Sequence, residues 1–116
     1  MDNFSKSDID KSFGKLIKDY RLAKNMTQDE LAEALNISEK YISRIENGYS
    51  GVKRQTLINC MNVLGIPPNL IFKDFITDKN LLLEINISEK LNKLSPKKLA
   101  FANGMLDLLL SDEADD

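Results

Sequence analysis

A cluster of polar and charged side chains occupies one side of a short predicted helix near the middle of this 116-residue chain. These side chains belong to Glu39, Lys40, Ser43, Arg44 and Asn47. They present carboxylate, ammonium, hydroxyl, guanidinium and amide groups, and base edges in DNA are read by hydrogen bonds to such groups. The cluster therefore indicates a surface able to read DNA. The alternative interpretation is the solvated outer face of an ordinary antiparallel helix pair.

Two short helical patterns position this cluster and meet at a tight turn. Thr27 and Glu30 have the spacing of a capping box at the start of the first helix, which ends at Asn36. Ser38 caps the second helix, and Gly48 follows its end because glycine readily takes the left-handed conformation found there. Helix, three-residue turn and helix form the helix-turn-helix signature, in which the second helix enters the DNA major groove.

Apolar residues beneath the two helices explain the spacing. We expect Ala32 at the helix crossing, where a larger side chain would push the helices apart. Ile37 is the apolar residue of the turn and should fill the small core between the helices. Ile42 and Ile45 should anchor the second helix from below, which leaves its polar side facing outward.

The stretch from about Phe13 to Phe72 resembles the phage-repressor/Cro-type helix-turn-helix family, which is also described as XRE-like or lambda-repressor-like. The matching residues are Ile17, Arg21, the run MTQDELA at 26–32, Leu35, Ile37, Ser38, Ile42, the run SRIENG at 43–48 and the run TLINCMNVLGI at 56–66. The resemblance implies an all-α domain of five helices, a pattern that the helical periodicity also indicates. It also implies double-stranded DNA as a partner.

The resemblance assigns DNA-binding roles to individual residues. Lys40 and Arg44 would pair with guanine O6 and N7, while Glu39 would accept a hydrogen bond from cytosine N4. Gln28 would hydrogen-bond a phosphate and help to orient the second helix of the motif. The expected DNA-binding residues are Thr27, Gln28, Ser38, Glu39, Lys40, Ser43, Arg44, Asn47, Lys53 and Arg54, the last three of which would hold the DNA backbone.

Arg21 and Glu46 lie within helices that otherwise supply core residues. In the family that the chain resembles, an arginine and a glutamate at these positions form a partly buried ion pair. We therefore expect a structural ion pair between them. The rival interpretation places Arg21 on a DNA phosphate.

The sequence after the helix-turn-helix domain forms a different unit. We expect the domain at residues 7–76, a two-helix C-terminal segment at 77–111 and an acidic tail at 112–116. The segment is expected to bind a second copy or another protein, and the alternative is that it folds back on the domain. The segment carries more apolar surface than one helix hairpin can hide. The expected dimerisation residues are Leu82, Ile85, Leu91, Leu94, Leu99, Phe101, Met105, Leu108 and Leu109.

Composition excludes several classes of protein. The chain has no histidine and one cysteine, Cys60, so it lacks the commonest acid–base catalyst and the ligands of a structural zinc cluster. We expect no enzyme activity, no metal and no cofactor. No apolar run is long enough to span a membrane, and the lone cysteine fits the cytoplasm. The net charge of −2 arises after residue 77, where 5 basic residues face 8 acidic ones; residues 1–77 carry 11 basic and 10 acidic residues.

These features predict a sequence-specific transcriptional regulator, most simply a repressor that binds an inverted-repeat operator as a homodimer. Two rivals stay open. The first is the antitoxin of a toxin–antitoxin pair, whose C-terminal segment wraps the toxin. The second is a protein-binding adaptor with a helix-turn-helix fold, which the acidic total charge and Glu39 favour.

Overall fold

The computed structural model describes residues 4–111, and this part of the chain forms seven α-helices and one 3-10 turn, with no β-strand. The helices are α1 (Lys6–Ala23), α2 (Gln28–Leu35), α3 (Glu39–Glu46), α4 (Arg54–Leu64), α5 (Pro68–Ile71), α6 (Lys79–Asn92) and α7 (Pro96–Ser111). The 3-10 turn, Lys73–Phe75, follows α5. The predicted all-α fold is confirmed. The acidic tail predicted at 112–116 lies outside the described residues.

The chain divides into two compact units between Ile76 and Thr77. We call residues 4–76 the head and residues 77–111 the tail. The head contains α1 to α5 and the 3-10 turn, while the tail contains α6 and α7. Within residues 4–111, none of the helices combines the length and the apolarity that a membrane crossing requires.

The predicted capping box starts α2. Thr27 Oγ1 accepts a hydrogen bond from the Glu30 amide, and Glu30 Oε1 accepts one from the Thr27 amide, both at 3.0 Å. The bond from the Thr27 amide favours the ionised carboxylate and lowers the pKa of Glu30. Two amides that would otherwise lack a partner at the helix start are thereby satisfied.

A second capping box starts α1, which begins at Lys6. Ser5 Oγ accepts a hydrogen bond from the Asp8 amide at 3.1 Å, and Asp8 Oδ2 accepts one from the Ser5 amide at 3.2 Å. The reciprocal pair satisfies two amides, so the helix starts where this pair can form.

The core of the head takes side chains from all five of its helices. α3 is held from two directions, because it packs against both α1 and α2. The fully buried side chains are Ile17, Leu31, Ile42, Ile45, Cys60, Leu64 and Ile71. Burial raises the pKa of the Cys60 thiol to about 11, with a smaller contribution from the charge of Glu46. Since the thiolate is the reactive form, Cys60 behaves as a small apolar core residue at neutral pH.

Aromatic rings close the head beside α1. Phe13 lies edge-to-face against Phe72, with ring centroids 5.7 Å apart, and against Phe75 at 6.3 Å. Phe4 contacts the other side of Phe75 at 4.9 Å. These pairs adopt the T-shaped geometry that aromatic rings favour. They join the last residues of the head to its first helix.

The tail leaves most of its apolar side chains on the surface. Asp78 Oδ1 caps α6 by accepting a hydrogen bond from the Leu81 amide at 3.0 Å, and Ser95 Oγ accepts one from the Lys98 amide near the start of α7 at 3.3 Å. Ile85 is buried in α6, whereas no residue of α7 is buried. The exposed large apolar residues of the tail are Leu81, Leu83, Ile87, Leu94, Leu99, Phe101, Met105, Leu106, Leu108, Leu109 and Leu110.

Candidate DNA interface

Two isoleucines fix the orientation of α3. Ile42 and Ile45 are 0% exposed and belong to the head core. Ser38 Oγ caps the helix by accepting a hydrogen bond from the Tyr41 amide at 3.1 Å. Because the apolar side is buried, the opposite side faces solvent, and its exposed residues are Glu39, Lys40, Arg44 and Asn47, with Ser43 half-buried.

The turn between α2 and α3 is held by its backbone. Asn36 takes the left-handed conformation, with φ of 56° and ψ of 45°, which asparagine tolerates better than most residues. The Ile37 amide donates to the carbonyl of Ala32 at 3.0 Å. Ala32 is buried and Ile37 packs against the core, so the turn brings the two helices together over small side chains.

A glycine allows α1 to approach the backbone of α3. Gly14 is buried, and a Cβ built on it would collide with the carbonyl oxygen of Ile45. At the end of α3, Gly48 has φ of +76° and lies against Lys11, whose Cγ would be 2.7 Å from an added Cβ. The sequence predicted that Gly48 follows the end of α3, and this role is seen in the structure. The close approach at Gly14 was not predicted, because its only sequence indication is a glycine inside an amphipathic helix.

A buried ion pair joins the end of α1 to the end of α3. Arg21 Nε donates to Glu46 Oε2 at 2.7 Å, and Arg21 Nη2 donates to Glu46 Oε1 at 3.0 Å. Arg21 Nη1 donates to the carbonyl of Met26 at 2.7 Å. The hydrogen bonds that Arg21 donates to the Glu46 carboxylate raise the pKa of Arg21, and burial opposes this rise. The two-pronged geometry restricts α3 in both position and rotation.

Gln28 is attached to the same carboxylate. Its Nε2 donates to Glu46 Oε1 at 3.0 Å, which ties the start of α2 to the end of α3. One amide hydrogen of Gln28 is thus used inside the protein, and the second can point to a DNA phosphate. The capping box engages the amides of Thr27 and Glu30, so the amides of Gln28 and Asp29 are the ones left at this helix start to face an anion.

Arg44 is held by the loop that follows α3. Its Nε donates to Ser50 Oγ at 3.0 Å, and the backbone of the loop turns back so that the Tyr49 amide donates to the Arg44 carbonyl at 2.9 Å. The bond to Ser50 uses only Nε. The two terminal nitrogens of the guanidinium form the edge that can donate to two acceptors at once. No motif in the sequence indicates this role of Ser50.

Tyr41 organises the approach to α4. Its hydroxyl donates to the carbonyl of Gly51 at 3.4 Å and accepts from the Lys53 amide at 3.2 Å. Lys53 and Arg54 are exposed where α4 begins. The ring of Tyr41 packs against the core, while its hydroxyl holds the loop that carries these two cations.

Asn47 turns back onto its own helix. Its Nδ2 donates to the carbonyl of Ser43 at 2.8 Å and approaches Ser43 Oγ at 3.4 Å. Both amide hydrogens can therefore be engaged within α3. A phosphate contact by Asn47, as expected from the sequence, would require its side chain to rotate away from Ser43.

The structure thus defines a class of protein, the helix-turn-helix proteins, with a recognition helix, α3, anchored on one side and polar on the other. The sequence profile of the helix-turn-helix family matches residues 17–71, from the middle of α1 to the last residue of α5. The chain belongs to the XRE type of this family. It is therefore a DNA-binding transcriptional regulator of the helix-turn-helix class and not an enzyme.

Two relatives are similar to this chain in sequence. The HTH-type transcriptional regulator ImmR of Bacillus subtilis (strain 168) is 33% identical over 96 residues, which cover 79% of this chain and 76% of ImmR. The ImmF control region 10 kDa protein of Bacillus phage phi105 is 38% identical over 61 residues, which cover 53% of this chain and 68% of the phage protein.

Two solved structures are also similar. A mutant of the restriction-modification controller protein C.Esp1396I superposes with a TM-score of 0.51 at 28% identity, covering 73% of this chain and 95% of that one. The clp gene regulator ClgR from Corynebacterium glutamicum gives a TM-score of 0.50 at 23% identity, covering 92% and 93% of the two chains. The likeness to ClgR concerns the fold alone.

Proposed function

We propose that this regulator is a repressor that binds an inverted-repeat operator as a homodimer and acts in the cytoplasm. The observation that carries the proposal is the division of α3 into a buried side, with Ile42 and Ile45, and an exposed side, with Lys40 and Arg44. A helix anchored in this way can enter the major groove without changing its own packing. Occupied promoter DNA would exclude the polymerase.

The base-reading contacts are assigned to four side chains of α3. The terminal nitrogens of Arg44 pair with guanine O6 and N7, and Lys40 donates to a second guanine. Glu39 accepts a hydrogen bond from cytosine N4 and repels phosphates, so it contributes to discrimination more than to affinity. Ser43 supplies a hydroxyl at the centre of the face.

The backbone contacts lie on either side of α3. Lys53 and Arg54 bind phosphates beyond the recognition helix, on the loop that Tyr41 holds. Gln28 and the amides at the start of α2 bind a phosphate on the other side. Such contacts fix the register of the protein on the duplex without reading its sequence.

The homodimer is supported by the uncovered surface of the tail. The 16-residue helix α7 has no buried residue. Isolated helices of this length are only marginally stable in water, so α7 gains stability if a second surface covers it. A second copy would cover this surface and present two recognition helices. The half-sites of the operator would then lie about 10 base pairs apart, centre to centre.

Selection from random duplex oligonucleotides, combined with a mass measurement in solution, tests the proposal. We expect a symmetric enriched site and the mass of two chains. Arg44→Ala should relax discrimination at one base pair by about 1–3 kcal/mol. Arg44→Lys is the matched control, since it keeps the charge and loses the paired donors. Lys53→Ala should weaken all sequences alike and reduce the salt slope by about 1. A monomer with no enriched site contradicts the proposal and favours an adaptor role.

A further inference from the structure

The loop between α3 and α4 is hydrogen-bonded to α3 at both of its ends. At its start, Ser50 Oγ accepts from Arg44 Nε at 3.0 Å, and the Tyr49 amide donates to the Arg44 carbonyl at 2.9 Å. At its end, the Tyr41 hydroxyl oxygen accepts a hydrogen bond from the Lys53 amide at 3.2 Å. The loop thus has two attachments, one to a residue assigned to base reading and one at a residue assigned to phosphate binding.

Lys53 is fixed through its backbone. Its amide donates to Tyr41, and its carbonyl accepts from the Leu57 amide at 2.9 Å, which is the first hydrogen bond of α4. The Lys53 side chain makes no capping hydrogen bond and is exposed. The place from which its ammonium group extends is therefore set by the two backbone hydrogen bonds.

Tyr41 lies outside the polar side of α3. The residue is half-buried and its ring packs against the core, on the same stripe of the helix as Ile45. Its hydroxyl accepts from the Lys53 amide and donates to the Gly51 carbonyl in a longer contact of 3.4 Å. A tyrosine hydroxyl has a single hydrogen to donate, and this contact uses it. Any influence of the hydroxyl on DNA must therefore pass through the residues that it holds.

We propose that Tyr41 is a positioning residue for DNA binding, which acts by holding Lys53 where its ammonium group meets a phosphate. The inference rests on the phosphate contact assigned to Lys53 in the proposed function and adds the group that sets its position. Because the hydroxyl belongs to α3, the phosphate contact stays at a fixed distance from the recognition helix. Phosphate contacts fix the register of a protein on the duplex, so Tyr41 links this register to the base-reading side of α3.

The two attachments of the loop should have separable effects on DNA binding. Loss of the Ser50 bond frees a guanidinium assigned to base reading, so it should change discrimination between base pairs. Loss of the Tyr41 bond loosens a phosphate contact, which carries no sequence information, so it should weaken binding to all duplexes alike. A general loss of stability would not produce this contrast.

Binding of the full-length protein to two duplexes tests the inference. One is the duplex enriched by selection, and the other has a random sequence of the same length. Tyr41→Phe keeps the ring and removes only the hydroxyl. We expect about 3- to 10-fold weaker binding to both duplexes, the usual effect of losing one hydrogen bond, and a salt slope reduced by up to about 1. Ser50→Ala, the matched control, should change the preference between the duplexes and keep the salt slope.

A double-mutant cycle shows whether Tyr41 acts through Lys53. Once Lys53→Ala has removed the ammonium group, Tyr41→Phe should have no further effect, so the double variant should bind within about twofold of Lys53→Ala alone. The control is the same cycle with Gln28→Ala, whose assigned phosphate lies on the other side of α3. In that cycle the two fold-changes should multiply.

Hydrogen exchange checks the contact without DNA. In Tyr41→Phe the Lys53 amide loses its acceptor and should lose its protection from exchange. The Ile42 amide, which donates to the Ser38 carbonyl at 3.2 Å, should exchange at the rate of the unmodified protein. Retained protection at Ile42 would show that α3 itself is intact in the variant.

The outcomes separate this inference from the proposed function. Fold-changes that multiply in the Lys53 cycle, or unchanged exchange of the Lys53 amide, overturn the role of Tyr41 and leave the proposed repressor standing. Lack of a symmetric enriched site overturns the proposed operator, while the random duplex still measures the cycle. A Lys53→Ala variant that binds both duplexes as the unmodified protein does overturns the phosphate contact and the inference together. Uniform weakening with a lower salt slope supports the inference, whereas altered discrimination in Tyr41→Phe contradicts it.

Discussion

The head and the tail hide their apolar side chains to very different degrees. Each of the five helices of the head contributes a fully buried residue, whereas α6 has one buried residue, Ile85 at 6% exposure, and α7 has none. Polar groups differ as well, since Arg21 and Glu46 satisfy each other inside the head. The head therefore specifies its structure from its own contacts, whereas most of the apolar side chains of the tail stay exposed.

This difference predicts that substitutions in the head and in the tail have two different kinds of effect. Changes that act on the head should alter stability and DNA reading at any protein concentration. Changes that act on the tail should alter association, so their effect should depend on concentration. The following predictions test this division, from the largest expected effect to the smallest.

Glu46→Ala should destabilise the head by about 3–5 kcal/mol, because it leaves the buried guanidinium of Arg21 without its partner. The Glu46 side chain is 1% exposed and that of Arg21 is 8% exposed. Chemical denaturation measures the change. Asp19→Ala is the matched control, because it breaks an ion pair with Lys15 on the surface and should leave the free energy of unfolding nearly unchanged. Equal effects of the two substitutions would contradict the anchoring role of Glu46.

Phe101→Ser combined with Leu108→Ser should weaken the dimer at least about 100-fold, as loss of central apolar contacts does at interfaces. The thermal unfolding of the head should not change. Sedimentation equilibrium gives the dissociation constant. Ile58→Ser, which alters a residue of the head that is 53% exposed, serves as the control and should not affect association. If the head unfolds more easily in the double variant, the two units are not independent.

Gly14→Ala should cost about 1–3 kcal/mol, the usual penalty for overpacking, because the added methyl meets the carbonyl of Ile45. Displacement of α3 should also weaken operator binding. The reverse is expected for Gly104→Ala in α7, where an added Cβ meets nothing within 4 Å and alanine favours the helix by about 0.5–1 kcal/mol. Denaturation curves and operator titrations on both variants check the contrast.

Ser50→Ala should have the smallest effect, a loss of about 1 kcal/mol in discrimination at the base pair assigned to Arg44. The hydroxyl holds Arg44 through Nε, and its removal frees the guanidinium to sample other positions. Binding measurements on operators altered at single base pairs provide the readout. Ser7→Ala in α1 should leave the operator preference intact. A uniform loss across all sequences would instead indicate that Ser50 contacts the DNA backbone.

Local patterns were sufficient to predict the elements of the head. Thr27 and Glu30 cap α2, Ile42 and Ile45 give the inner side of α3, and Gly48 follows the end of α3 with φ of +76°. Each of these signals involves residues at most four positions apart or a single residue with special backbone freedom. Such interactions can be read from sequence because helix geometry alone brings the groups together.

Contacts between elements could not be predicted in the same way. The approach of Gly14 to Ile45 and the two hydrogen bonds of the Tyr41 hydroxyl depend on how helices cross and where a loop returns. The tail presents the same difficulty. Ile85 was expected on the dimer surface but is buried, because periodicity cannot tell which side of a helix is covered when apolar residues lie on most of its sides.

Glu46 is buried and accepts hydrogen bonds from Arg21 and from Gln28, so a single carboxylate joins α1, α2 and α3. The exposed positions of α3 therefore contribute little to the stability of the fold. Related proteins can diverge at Glu39, Lys40 and Ser43, one substitution at a time, and acquire new target genes while the scaffold stays as it is. A protein that lost Glu46 would lose this tolerance of substitutions in α3.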